Sequence, residues 1–107
     1  MAAKQQNLTA IIYDRKGKVL SIGKNSYVKT HPLQAKHANI VGRPENIVLH
    51  AEIDAIIKCR NLDKAYRIFV SRTNKAGEYR LAKPCPICMS AISQTKIQKI
   101  EWSIDNT

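Results

Sequence analysis

Apolar and polar positions divide the chain into short elements. Leu8–Tyr13 (LTAIIY) is apolar and partly β-branched, Asp14–Lys18 (DRKGK) is polar with a glycine, and Val19–Ile22 (VLSI) is apolar again. That pattern predicts a β-hairpin with its loop at Arg15–Gly17. Residues 23–44 lack clear periodicity, and a stretch of that length in a small domain is usually functional or hides a helix; a short helix is expected near Leu33–Ala38. Ile47–Leu62 reads as helical. Ile53, Ile56 and Ile57 share one face, and Ala51, Ala55 and Cys59 form a second, small-residue stripe. Pro44 and Asn46 supply start signals. Arg67–Ser71 (RIFVS) reads as a buried strand, Asn74–Arg80 as a turn and polar edge, and Pro86–Gln94 as another helix. In Lys96–Trp102 apolar and polar residues alternate with a period close to two, with Ile97 and Lys99 opposing Gln98 and Ile100, which predicts a last strand. The order β-β-α-β-α-β predicts an α/β fold, a mixed sheet with helices on its faces. No repeat, low-complexity tract or second domain interrupts it, so residues 1–107 are expected to form a single domain.

Length and composition narrow the functional classes. A chain of 107 residues buries roughly 65% of its unfolded surface, enough for one modest core to which a bound metal would add stability. No run approaches the roughly 18 apolar residues of a membrane span. Residues 1–7 are polar, unlike a secretory signal. A cytoplasmic protein is expected. The odd count of three cysteines argues against a closed disulfide framework. The C-x-x-C spacing of Cys85 and Cys88 points to metal binding or redox chemistry. Cys59 stands alone and reads as a small buried apolar side chain. The net charge is +10, with eight basic and two acidic residues in 1–49, eight and four in 50–83, and two and two in 84–107. Such a balance favours anionic partners, a nucleotide phosphate or a nucleic-acid backbone. The lysines are scattered, and a generally solvated basic surface accounts for them equally well.

The chemistry is carried by His50-Ala51-Glu52 and, downstream, Pro84-Cys85-Pro86-Ile87-Cys88. One imidazole and two thiolates are three zinc ligands, and three leave the fourth tetrahedral position open, as in catalytic sites. Zinc lowers the pKa of water in that position from about 15.7 to near 7. In a regular helix His50 and Glu52 would point about 200° apart, but they can share a site at a helix start entered from a loop. Cys85 and Cys88 lie on one face of a helical first turn, and Pro86 suits the first helical position. Cys59 should point away from the metal. A closed structural site would need a fourth ligand, for which His31 and His37 are the remaining histidines. A redox pair is disfavoured because the motif does not follow the first strand of a β-α-β unit.

H-x-E followed by P-C-x-x-C is the signature of zinc-dependent nucleobase deaminases, with the glutamate as general acid/base. The residues resemble the cytidine and deoxycytidylate deaminase superfamily, of which the chain would be a short member. His50-Ala51-Glu52 with Ile53-Asp54-Ala55 resembles the HAE-x-x-A segment of deoxycytidylate and tRNA adenosine deaminases. Pro84–Ile92 is similar to the PCxxC-x-x-A-I segment of guanine and tRNA adenosine deaminases, and Gly23-Lys24-Asn25 looks like the family's G-x-N segment. The resemblance implies a zinc cofactor held by His50, Cys85 and Cys88, Glu52 as proton shuttle, Asn25 on the base or sugar, and the Ala51 N–H on a base carbonyl or ring nitrogen. Three departures stand out: little precedes Leu8 where relatives have a helix, the chain ends soon after Trp102, and Lys83 precedes Pro84 where relatives carry a small, acidic or aromatic residue.

The leading expectation is hydrolytic deamination of a nucleobase in a free nucleotide, nucleoside or base, with a cytosine-containing nucleotide favoured by the basic surface. The alternatives are a polynucleotide-editing deaminase, acting on tRNA adenosine or single-stranded DNA cytosine, and a non-catalytic zinc-stabilised nucleic-acid binder. Aromatic residues are only 6% of the chain, which leaves few stacking platforms for single strands. Ile92, Ile97, Ile100 and Trp102 crowd the last stretch, and a homo-oligomer is expected to cover them.

Overall fold

The hairpin is built by its polar turn. Asp14 accepts hydrogen bonds through Oδ1 from the Lys16 and Lys18 N–H groups, both at 2.9 Å. Gly17 adopts φ +84, open to glycine at no steric cost. The strands that follow from this turn are β1 (Asn7–Tyr13) and β2 (Val19–Lys24). The protein is described by a computed structural model, over residues 7–45 and 48–105.

β3 (Arg67–Thr73) runs antiparallel to β1 along its whole length, from Asn7↔Thr73 to Tyr13↔Arg67. Its other edge is shared. β5 (Lys99–Trp102) pairs in parallel with Arg67–Val70, and β4 (Tyr79–Arg80) pairs antiparallel with Arg72–Thr73. The sheet is therefore mixed, in the order β2-β1-β3 with β5 and β4 end to end on the outer edge. Strand alternation places Ala10, Ile12, Ile68 and Val70 on the core face, all fully buried. On the other face Ile22 is 49% exposed.

Three helices complete the described residues: α1 (Pro32–Ile40), α2 (Ala51–Lys58) and α3 (Pro86–Ser93). α1 forms where a short helix was expected. Its N-cap is His31, whose Nδ1 accepts from the Leu33 N–H at 3.0 Å, and Pro32 follows in the first helical position. α1 lies against α3, and α2 lies on β1 and β2.

α2 is shorter than the span from 47 to 62 that its periodicity predicts. Asn46 and Ile47 lie outside the described residues, and Pro44 is remote from the helix start. Val48 pairs with Thr30, and the Leu49 N–H donates to the Lys29 carbonyl at 2.8 Å, so the chain is still extended there. At the other end Cys59 takes φ -78, ψ 108, and Leu62–Lys64 forms a separate 3₁₀ turn. Tertiary pairing overrides helical periodicity at both ends. Ile57 departs from its expected face and is 37% exposed, because α2 turns its small stripe, Ala51 and Ala55, fully inward.

The last strand also shifts phase. It begins at Lys99, since the Gln98 and Lys99 N–H groups both reach the Tyr66 carbonyl. Ile100 and Trp102, not Ile97, therefore share the core face, in register with Ile68 and Val70. Ile92 is 1% exposed, and Ile97, Ile100 and Trp102 pack half-buried against the core. The chain itself covers Ile92 and leaves the other three partly exposed. Among the described residues no helix is long and apolar enough to cross a membrane.

α2 meets β2 backbone to backbone. A Cβ on Gly23 would collide with the Ala51 carbonyl oxygen and the Ala55 nitrogen. Ser21 Oγ donates to the Ala55 carbonyl at 2.7 Å, and Asp54 accepts through Oδ2 from the Lys24 N–H at 2.9 Å. Gly23→Ala is expected to cost about 3 kcal/mol in urea unfolding, at the upper end for overpacking because backbone cannot swing aside. Gly17→Ala, which meets open space and only the left-handed φ, should cost about 1 kcal/mol. Equal losses would mean that α2 can lift from the sheet.

Candidate metal centre and active site

Two helix starts face each other. His50 is the N-cap of α2 and Cys85 the N-cap of α3, both with extended backbone (φ -85, ψ 156 and φ -73, ψ 169). Neither side chain caps its own helix. N-cap positions normally hold Ser, Thr, Asp or Asn, whose oxygens satisfy the first N–H groups, with an alanine there costing about 1 kcal/mol. Here the cap side chains turn toward each other instead. Pro86 opens α3 as expected, and Cys88 follows on the same turn.

His50, Cys85 and Cys88 offer ligand atoms that all lie within 4.8 Å of one another. His50 Nδ1 is 3.2 Å from Cys88 Sγ and 3.5 Å from Cys85 Sγ. With Zn–S at about 2.3 Å and Zn–N at about 2.05 Å, a tetrahedral centre separates sulfur from nitrogen by about 3.6 Å. The donor set and its spacing therefore fit zinc, and these three residues are positioned to bind it. Cys59 is buried in the core and is not part of the group. His31 is the cap of α1, and His37 Nδ1 lies 2.9 Å from Ser90 Oγ. Neither belongs to the cluster, so a closed four-ligand site is not formed by the other histidines.

Charge is arranged around the cluster. Cys85 is held down to about 4, chiefly by the hydrogen bond from the Cys88 thiol and also by His50. Cys88 moves the opposite way, since it donates to Cys85 and is buried. The pair thus shares one proton until a cation balances a second thiolate. His50 is raised, first by its hydrogen bond with Cys85. Glu52, 5% exposed in the first turn of α2, is raised by burial, and its carboxyl reaches the Cys88 thiol.

The cluster opens into a cavity of about 310 Å³ lined by His50, Ala51, Glu52 and Cys85, by Asn25, Ser26 and Tyr27 after β2, and by Arg72 of β3 and Lys83 of the segment tied to it. Every residue singled out in the sequence as a site candidate is at this cavity or in the cluster behind it. Asn25 Oδ1 accepts from the Leu8 N–H at 3.1 Å, which fixes its place on the wall. A wider depression of about 450 Å³, at the opposite end of the sheet by Asp14, Tyr66 and Lys96, contains none of the three ligands.

Three supports of the site were not expected as supports from the sequence. Gln34, fully buried on α1, accepts through Oε1 from the His50 N–H at 3.1 Å. His37, one turn on, meets Ser90 of α3, so α1 braces both ligand-bearing elements. Ser103 accepts through Oγ from the Arg72 N–H at 3.1 Å and donates to the Arg80 carbonyl at 2.7 Å, while its carbonyl takes the Ala82 N–H at 3.0 Å. It knots β3, β4 and β5 where the segment to Cys85 departs.

Paired helix starts beside a mixed sheet, presenting one histidine and two cysteines, define a metal-binding α/β domain. The family model described as "Cytidine and deoxycytidylate deaminase zinc-binding region" matches residues 1–104 of the 107, and the chain belongs to that family of zinc-dependent deaminases. A search of curated proteins gives no significant match.

Thiol labelling of metal-stripped protein tests the electrostatics. Because the folded pKa of Cys85 is depressed, its thiolate is present above about 4 and is lost only as pH falls through that value. At pH 6, iodoacetamide should therefore modify Cys85 before Cys88 or Cys59, as peptide mapping would show. One equivalent of zinc should suppress it. Equal labelling of all three cysteines would contradict the shared-proton arrangement.

Proposed function

We propose that the protein hydrolyses the amino group from a nucleobase carried by a free nucleotide, nucleoside or base, with cytosine-containing nucleotides as the favoured substrates. The observation that carries this reading is Glu52: a carboxyl group 5% exposed, outside the ligand trio, on the floor of the same cavity. A purely structural zinc site has no use for a buried carboxyl at an open cavity.

His50, Cys85 and Cys88 would hold the zinc. When bound, zinc supplies the Lewis acidity that makes water nucleophilic near neutral pH. Glu52 takes the proton of the attacking water and delivers it to the ring nitrogen. It then carries the second proton to the exocyclic nitrogen. A C–O bond forms, the C–N bond breaks, and ammonia leaves. Burial holds Glu52 above the ordinary carboxylate range, the direction that suits a group that must both take and give a proton. Ala51 is the first residue of α2, so its N–H has no acceptor within the helix and is available to a base carbonyl or ring nitrogen. Asn25, fixed by Leu8, would contact the base or sugar.

The reading extends to assembly. A homo-oligomer would use the helix-free face of the sheet, where Ile22 is half exposed, rather than the C-terminal isoleucines.

Glu52→Ala should retain one zinc per chain and the fold but lose about 10⁴-fold in kcat, the upper end for a general acid–base group, because one residue serves several transfers. Near-normal turnover in this variant would remove Glu52 from the mechanism. Salt separates small from polymeric substrates. A polynucleotide contacting six to ten phosphates should lose about 10³–10⁵ in affinity between 50 and 200 mM salt. The expected result is a shallow dependence of kcat/KM; a steep one would favour polynucleotide editing.

A further inference from the structure

We propose that Arg72 and Lys83 form a phosphate-recognising wall in the cavity, and that the preferred substrate carries a phosphoryl group one sugar away from the base. This rests on the deaminase reading above and specifies its substrate class.

The charge around the cavity is one-sided. Beyond the ligand residues and Glu52 on the floor, the charged side chains that line it are Arg72 and Lys83, both cationic. They lie on one wall, at the end of β3 and on the segment between β4 and α3. The lining residues that follow β2, on the far side of β1 from β3, are the neutral Asn25, Ser26 and Tyr27. Among the described residues neither cation makes an ion pair, whereas Lys58, Arg67 and Arg80 each do.

The two cations are held, not loose. Arg72 Nη1 donates to the Leu81 carbonyl at 3.2 Å, tying the guanidinium to the segment that carries Lys83. Its Nε is buried with no partner among the described residues. The Lys83 ammonium stands 6.0 Å above the Trp102 ring, and Trp102 is anchored in β5 against Val70. Two cations fixed on one side of a cavity, with no carboxylate on that wall to neutralise them, match a multiply charged oxyanion. Once a nucleobase occupies the metal end, the anion it brings is phosphate. A cavity of about 310 Å³ is at the small end for ligand sites, which suits a single nucleotide unit.

The sequence offers a corresponding clue. Lys83 stands directly before the metal motif, at a position where the resembling families more often have a small, acidic or aromatic residue.

The test compares zinc-loaded wild type, Lys83→Glu and Lys83→Arg on three forms of one base: the nucleoside, its 5′-monophosphate and a short oligonucleotide. Lys83 is exposed, so both variants should fold. The measured quantity is the ratio of kcat/KM for phosphorylated substrate to that for nucleoside. Lys83→Glu should lower it about tenfold to a hundredfold, through KM, the value of one charged hydrogen bond. Lys83→Arg should restore most of it. A Lys83-dependent preference for the monophosphate assigns a free nucleotide, and one confined to the oligonucleotide assigns a backbone phosphate; both uphold the wall. An unchanged ratio in Lys83→Glu overturns it. Calorimetric binding of the monophosphate to the zinc-loaded proteins separates the two readings. Lys83-dependent binding without turnover of any base would sink deamination and keep the wall. Turnover with binding indifferent to Lys83 would do the reverse.

Discussion

The contact on which the site depends is the backbone approach of α2 to β2. Gly23 has no Cβ, so the Ala51 carbonyl and the Ala55 N–H can sit directly on the strand. Ser21 and Asp54 then lock the helix in height and rotation, each bonded across the same interface. A helix that low on the sheet presents its first turn at the end of β1 and β2. His50 and Glu52 therefore emerge beside Leu8 and Asn25 rather than above the sheet. Any larger residue at position 23 would lift the helix and with it a metal ligand and the carboxyl together.

The second half of the site is placed from the β3 edge of the sheet, on the same core as α2. α3 begins at Pro86, and Cys85 precedes it with extended backbone. The segment that delivers Cys85 is held by three bonds to β3 and the strand edge: Arg72 to the Leu81 carbonyl, the Ala82 N–H to the Ser103 carbonyl, and the Leu81 N–H to Asp105 Oδ1 at 2.8 Å. α1 then bridges the two halves, with Gln34 on the His50 backbone and His37 on Ser90. Both groups are buried, so each bond is made where an unmet partner would be costly.

The chemistry was legible in the sequence because residue type dictates it. One imidazole, two thiols three apart and a carboxyl two residues past the histidine need only helix starts to converge, and Pro86 marked one of them. The hairpin was legible because the apolar runs and the Asp14–Lys18 turn agree with each other. What the sequence hid was phase and support. Ile97 fits a period of two that starts at Lys96, whereas the Tyr66 carbonyl starts the strand at Lys99. That β4 and β5 share one edge of β3 could not be foreseen, because β4 is only two residues long and Ser103 joins it to β5 through a single hydroxyl. Gln34 is a neutral residue in a stretch without clear periodicity, and nothing local distinguishes it from a solvated glutamine. Arg72 falls just past the strand expected at Arg67–Ser71, and nothing local distinguishes it from a solvated arginine until the strand is seen to run on to Thr73 beside the cavity.

The local sequence at both helix starts works against stability, and this ties the fold to its metal. Histidine and cysteine replace the usual capping residues, and neither caps its helix. Each start forgoes about 1 kcal/mol of capping. The thiols add a second constraint: Cys85 is a thiolate chiefly because Cys88 keeps its proton and donates to it, with His50 assisting. A divalent cation held by His50, Cys85 and Cys88 would relieve the second and offset the first. With its charge beside them both thiols could ionise, and His50, Cys85 and Cys88 would together link the starts of α2 and α3. Binding energy at such a site is therefore also folding energy. The cap positions are weak as caps for the same reason that they are good as ligands: their side chains are directed away from their own helices and toward a shared point between them.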